Sequence, residues 1–223
     1  MILKAPFPWF GGKSRVAAEV WARFGDVPNY VEPFAGSLAV LLGRPHAPKT
    51  ETVNDLDCYL ANFWRAVQAE PSDVARWADW PVNEADLDAR HAWLVGRRDS
   101  LRDSVSADPA FFDAKVAGWW VWGICSWIGS GFCSGDGPWR VEGGRLEKVG
   151  GAGMGIHRQL PHLGDAGRGI HRQLPHLGDA GRGIEAWMMQ LAERLRRVRV
   201  ACGEWDRVLG ESVTMKKGTT AVF

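Results

Sequence analysis

The stretch Asn29–Asp57, NYVEPFAGSLAVLLGRPHAPKTETVNDLD, decides the fold. It opens on a short apolar strand, Asn29 to Pro33, with Tyr30-Val31 at its centre. A turn of small residues follows at Phe34-Ala35-Gly36, and a helix is expected from Ser37 to Leu42. Thr50 to Asn54 reads as a second strand, ending in the acids Asp55 and Asp57. Outward from this stretch, Ser14–Phe24 carries Val16, Val20, Trp21 and Phe24 on one helical face, and Leu56–Gln68 is helical again. Helices alternating with short buried strands predict an α/β protein with a parallel sheet.

The turns between these elements carry the chemistry. Upstream stands Pro8-Trp9-Phe10-Gly11-Gly12-Lys13-Ser14. Its Gly-Lys-Ser invites a P-loop reading, but the first glycine of that motif would fall at Phe7, so nucleotide hydrolysis is excluded. A Gly-Gly turn at a helix start offers backbone N–H groups and Lys13 to a carboxylate; a plain helix cap is the simpler alternative. In Val31-Glu32-Pro33-Phe34-Ala35-Gly36-Ser37 a strand ends in an acid and a tight turn, where a ligand can approach the backbone. Asn54-Asp55-Leu56-Asp57 places an acid at the end of the next strand, suited to the hydroxyls of a ribose.

The rest of the chain changes character. Ser72–Arg102 is charged, helical and rich in Trp and Arg, and Pro109–Ile128 is strongly apolar and helical. Gly129–Gly155 is glycine-rich with Trp139, Arg140, Arg145 and Lys148, a basic hairpin or loop. GIHRQLPHLGDAGR then occurs twice without a change, at 155–168 and 169–182. This repeat holds His157, His162, His171 and His176, which makes a metal site conceivable, but duplication alone accounts for the four histidines, so no metal is expected. Ile184–Arg197 reads as an amphipathic helix, Val198–Cys202 as a strand, Trp205–Leu209 as one helical turn, and Thr219–Phe223 as another strand. The cluster Arg194, Arg196, Arg197, Arg199 reads as a solvated helix end rather than a DNA patch.

Composition sets the outer bounds. The 223 residues are 46% hydrophobic and 24% charged, which excludes a disordered chain or a disulfide-stapled miniprotein. Net charge is +1, divided as −3 over residues 1–110 and +4 over 111–223, a bias that permits a polyanion partner. The 13 tryptophans imply aromatic packing, with base stacking as the functional alternative. Four cysteines without a CxxC pair, no run of 18 apolar residues, and Lys4 followed by Pro6 and Pro8 in place of a leader predict a reduced cytoplasmic setting.

The order WFGGK, YVEPFAGSLAV, VNDLD resembles the Dam-type DNA adenine-N6 methyltransferases, whose target-recognition region lies between the cofactor motifs and the catalytic motif. The likeness covers about residues 4–70 and resumes at 184–223, where VACGEWDRVL and the GTTAVF strand approach the family's catalytic strand. It implies a Rossmann-like sheet binding S-adenosylmethionine, with residues 1–69 as the cofactor part, 70–183 as an inserted helical recognition subdomain, and 184–223 as the return to the sheet. Trp9, Phe10, Gly11 and Lys13 would form the first cofactor motif, with Glu32, Phe34 and Gly36 lining the loop. Asp55 would hold the ribose, and Glu204 and Trp205 would lie near the cofactor's adenine. Core packing is the competing reading of Trp9, Phe34 and Trp205.

The block WIGSGFCSGDGPWRV is similar to the family's recognition loop, which implies double-stranded DNA as partner and Ser130, Phe132, Trp139, Arg140, Arg145 and Lys148 as contacts, Phe132 or Trp139 as a wedge in the base stack. Ser134-Gly135 stands where GATC-specific members read guanine with an arginine, so that target is not carried over. The family's catalytic Asp/Asn-Pro-Pro-Tyr/Phe has no counterpart, since no Pro-Pro occurs in the 223 residues. No catalytic residue is therefore assigned. The expectation is a truncated or split enzyme, its motif and later strands supplied by a second chain or lost, and inactive by itself. The alternative is an inactive DNA- or S-adenosylmethionine-binding remnant. A bacterial or phage-infected cell, and a restriction-modification or phage context, would be its setting.

Overall fold

A computed structural model describes residues 3–9, 11–127, 132–133, 139–142, 145–148, 183–215 and 218–223. The 14-residue repeats, Phe10, Ser130 and Ser134-Gly135 lie outside the described residues. The fold is α/β. Strands β1 (Asn29–Glu32), β2 (Thr50–Asp55), β5 (Val198–Cys202) and β6 (Thr220–Val222) form one sheet in the order β5-β2-β1-β6. Every pairing in it is parallel, with Asn29 opposite both Thr50 and Thr220, and Glu51 opposite Val198. All four residues of β1 are buried because the strand is central and covered on both faces, which removes the alternation of a half-exposed strand. The chain leaves β1 for β2 on one side and reaches β6 on the other, so a topological switch point falls at the tip of β1.

One face of the sheet carries the helices. A single turn of 3-10 helix (Lys13–Arg15) leads into α1 (Ala17–Phe24), and α2 is only Ala39–Leu42. Helix α3 (Cys58–Ala69) begins where the Asp57 carboxylate accepts the Tyr59 N–H at 2.9 Å and that of Leu60. The charged segment divides into α4 (Pro71–Ala78), α5 (Glu84–Val95) and α6 (Arg98–Ala107), and the apolar one forms α7 (Ala114–Ser126). Helix α4 packs on α7 and α8 (Ile184–Leu195), and α3 packs on α6, α7 and α8. The helices of the inserted block thus share one hydrophobic core with the sheet. Phe7, Phe63, Trp64 and Trp120 meet at its centre, with ring centroids 4.8 to 5.7 Å apart. Most of the tryptophan excess is therefore structural. The opposite face is covered more thinly, by Val208 and by Val213 of α9 (Glu211–Thr214) over Val31 and Ala201.

Of the arginine cluster, Arg196, Arg197 and Arg199 are exposed as expected, but Arg194 in the last turn of α8 is not. Arg194 is an internal ion-pair residue: it grips Glu51 through two bonds of 2.7 and 3.0 Å and donates to the Leu41 carbonyl. Arg44 holds the same carboxylate at 3.1 Å, so Glu51 is buried with its charge compensated. The glycine-rich block does contain a hairpin. Strands β3 (Trp139–Glu142) and β4 (Arg145–Lys148) pair antiparallel, with Arg140 opposite Glu147 and Arg145 opposite Glu142.

Candidate functional site

Parallel pairing brings the carboxyl ends of β1, β2, β5 and β6 to one edge of the sheet. Backbone bonds knit them: the Ala35 N–H donates to the Asn54 carbonyl at 2.8 Å, Gly203 to Asp55 at 3.1 Å, and Phe223 to Val31 at 3.1 Å. Buried Asn54 completes the joint, donating its amide to the carbonyls of Pro33 at 3.1 Å and Gly203 at 2.8 Å. Asn54, next to the motif acid Asp55, fastens three strand tips together.

Asp55 joins the two motif turns. Its carboxylate accepts the Gly36 N–H at 2.9 Å and the Asp57 N–H at 3.0 Å. An ionised carboxylate has about four acceptor positions, so acceptor capacity remains for a ligand. Gly36 has φ of +52°, and a Cβ there would come within 2.7 Å of the Trp9 indole nitrogen. Only glycine fits a left-handed turn pressed against an indole. Trp64 secures the same turn by donating to the Gly36 carbonyl at 3.1 Å. The Trp9–Gly12 turn, closed by a Gly12 N–H to Trp9 carbonyl bond of 3.1 Å, thus packs on the Phe34–Ser37 turn. Gly11 takes φ of +73° at its tip.

Glu32 departs from the expected loop-lining role. It is 0% exposed and lies beneath the loop, where Lys13 donates to it at 3.1 Å and the Tyr30 hydroxyl at 3.0 Å. The same Lys13 ammonium donates to the Phe34 carbonyl and sits 5.1 Å from the Phe223 ring centroid. Burial pushes the Glu32 carboxyl up to about 7, against the opposing pull of Lys13 and Tyr30. Glu32 is a support that positions Lys13.

Around this frame stand exposed apolar groups. Phe34 is 62% exposed, Leu56 63% and Trp205 49%, each just past the tip of β1, β2 or β5. Leu56 was read as the first residue of a helix; because Asp57 caps α3, it is left in the turn, facing solvent. Trp205 opens a 3-10 turn (Trp205–Val208), and Glu204 before it is exposed. Apolar surfaces around a carboxylate with acceptor capacity match the faces of a base and the hydroxyls of a sugar.

The DNA-contact set is only partly brought together. Trp139 and Arg140 lie on β3 and Arg145 and Lys148 on β4, while Ser130 lies outside the described residues. Phe132 is corrected to a core residue: 7% exposed, with its ring centroid 5.0 Å from His91 and 5.4 Å from Trp127. A Cβ on Gly123 would fall 2.1 Å from the Phe132 ring, so the helix admits that ring only where it has no side chain. Cys133 N–H donates to His91 Nε2 at 3.3 Å, and burial pushes His91 down to about 4. The Phe132-Cys133 pair is an anchor for the segment before the hairpin, not a free wedge. Among the described residues no cluster could hold a metal ion, and no helix is long and apolar enough to cross a membrane.

Opposite stability slopes follow from these two buried groups. Glu32 binds its proton more tightly folded than unfolded, so its contribution is full below about 4.5 and is lost as pH rises through about 7. His91 binds its proton less tightly folded, so its contribution is full above about 6.5 and is lost as pH falls through about 4. Each is worth about 3 kcal/mol across its window. In urea titrations, the stability of Glu32→Gln relative to wild type is expected to increase as pH rises from 4.5 to 7. A difference independent of pH would contradict the burial argument.

A search of curated proteins finds no match to the chain. Residues 9–87, from Trp9 through both motif turns to Leu87 in α5, match the family model of the D12 class N6 adenine-specific DNA methyltransferase. That match, on the segment that builds the strand-tip site, supports the adenine-N6 DNA methyltransferase family.

Proposed function

We propose that the chain binds S-adenosylmethionine at the tips of β1 and β2 and belongs to a site-specific enzyme that methylates adenine N6 in double-stranded DNA. The observation that carries this reading is the junction of Asp55 and Gly36, ringed by Phe34, Leu56 and Trp205. When bound, the cofactor supplies a methyl group on a sulfonium. The chain's own residues then have separable tasks. Asp55 accepts the ribose hydroxyls while fixing the Gly36 turn. Phe34, Leu56 and Trp205 exclude water from the base, and Lys13 holds the Phe34 carbonyl so that the loop keeps its course. The β3–β4 hairpin, with Arg140, Arg145 and Lys148, is assigned to DNA, and the block 70–183 to target recognition.

Isothermal titration tests the assignment. S-adenosylmethionine is expected to bind with one-to-one stoichiometry. No saturable heat would refute it.

A second reading is a chain that binds the cofactor or DNA without methyl transfer of its own; the 223 residues contain no Pro-Pro. The amine of adenine is a weak nucleophile because its lone pair is delocalised into the ring. An acid and a proline carbonyl that accept its hydrogen bonds align it with the methyl, and an aromatic ring stacks on the flipped base. With these groups lacking, the 223-residue polypeptide is expected to bind the cofactor yet transfer no labelled methyl to duplex DNA. Transfer above background would show that other residues do this work.

A further inference from the structure

The outer edge of β5 carries a cleft that the cofactor site does not use. Its volume is about 390 Å³, and Arg65, Arg199 and Arg207 line it together with Gln68, Ser106 and the apolar residues Val200 and Pro109. The cations are held by the strand itself. As the edge of the sheet, β5 presents outward carbonyls with no strand partner among the described residues. Gln68 takes that of Val198 at 2.8 Å, and that of Leu195 at the end of α8 at 2.7 Å; Arg65 Nε takes that of Val200 at 3.4 Å, and Arg207 Nη1 that of Cys202. Val200 and Cys202 are two residues apart, so their carbonyls recur at about 7 Å along the strand and set two guanidinium groups in a row. Arg65 Nη1 is fixed further by the carbonyls of Val105 at 2.9 Å, Asp108 at 3.1 Å and Phe111 at 3.4 Å.

These bonds leave donors over. Among the described residues, Arg65 Nη2 and Arg207 Nε and Nη2 have no acceptor, and the exposed Arg199 has none at all. Among the described residues, no carboxylate lies within ion-pair distance of any of the three. The nearest acid acting on Arg65 is Asp108, whose Oδ1 accepts the Ala110 N–H at 2.8 Å. Three guanidinium groups, two of them pre-ordered by backbone carbonyls, face a concave space with an apolar wall.

We propose that this cleft is a second ligand site, for a low-molecular-weight phosphate ester. Its phosphate would be held by Arg65, Arg199 and Arg207, and its organic body would lie on Val200 and Pro109. Planar guanidinium groups with free N–H pairs match phosphate oxygens, and pre-ordered arginines lose little freedom on binding. The concavity favours a small molecule over a duplex, which needs an open face for its backbone. S-adenosylmethionine carries no phosphate, so the two sites are chemically distinct.

Phenyl phosphate, titrated calorimetrically in phosphate-free buffer at low salt, tests this. One equivalent is expected to bind, with a dissociation constant of about 1 mM or below. Arg199→Ser removes an exposed group that bonds to nothing, and Ser106→Asp adds a negative charge at an exposed position. Both are expected to fold as wild type, to weaken phenyl phosphate at least tenfold, and to leave S-adenosylmethionine affinity unchanged. The assignment is overturned if phenyl phosphate gives no saturable heat, if both variants bind it as wild type does, or if a 12-base-pair duplex displaces it.

Discussion

Lys13→Met is expected to destabilise the folded chain by about 3 kcal/mol at pH 9 and by under about 1 kcal/mol at pH 6. The pH dependence is the informative part. Glu32 is wholly buried, and its carboxyl titrates at about 7 even with Lys13 beside it. Without the ammonium, the carboxyl can ionise only against the full desolvation cost, so it stays protonated. At pH 6 wild type already holds it largely neutral, and the substitution removes little beyond one hydrogen bond. At pH 9 wild type has an ion pair where the variant must keep a proton against the solvent. Urea unfolding at the two values measures this directly. An equal loss at both would mean that Glu32 is not the group coupled to Lys13.

The second large effect falls on the cofactor. Asp55→Ala is expected to weaken S-adenosylmethionine by about 100-fold, and Asp55→Asn by about tenfold, from the roughly 1.5–3 kcal/mol carried by hydrogen bonds to a charged group. The two variants separate the functions of the carboxylate. Alanine removes the ribose acceptors and also frees the Gly36 and Asp57 N–H groups, so the turn itself loosens. Asparagine keeps one oxygen for Gly36 but sets its NH2 against the Asp57 N–H, so it loses charge, one acceptor and one of the two turn bonds. Calorimetry on both, beside urea unfolding, distinguishes lost contact from lost architecture. Affinities equal to wild type in both variants would remove Asp55 from the site.

The parts of this site that could be read along the chain are those built from neighbours in sequence. The strands at Asn29–Glu32 and Thr50–Asp55, the small-residue turn between Phe34 and Ser37, and the acid closing the second strand each carry a local signature. What could not be read depends on distant partners. Glu32 has the sequence context of a strand-end ligand, yet Lys13 and Tyr30 bury it beneath the loop. Arg194 sits in a run of arginines that suggests solvent, yet Glu51, 143 residues away, takes its guanidinium. Phe132 lies in a glycine-rich segment, where exposure is the natural guess; the missing side chain at Gly123 makes room for it in the core. Leu56 was hidden by a boundary shift, since the Asp57 cap starts α3 after it and turns an expected helix residue into exposed rim.

The short reach of α2 has a similar local cause. Helix was expected from Ser37, but Gly36 at φ +52° and Leu38 at φ +55° hold the chain in left-handed turns until Ala39. That geometry places the Gly36 N–H on Asp55. The turn that shortens the helix is thus the one that forms the site.

A crystal structure of the chain grown with S-adenosylmethionine tests the central claim most directly. The account predicts the nucleoside at the tips of β1 and β2, its ribose hydroxyls on the Asp55 carboxylate and its adenine against Phe34, Leu56 or Trp205. Density for the nucleoside at any other place, with the strand tips holding only solvent, would contradict it.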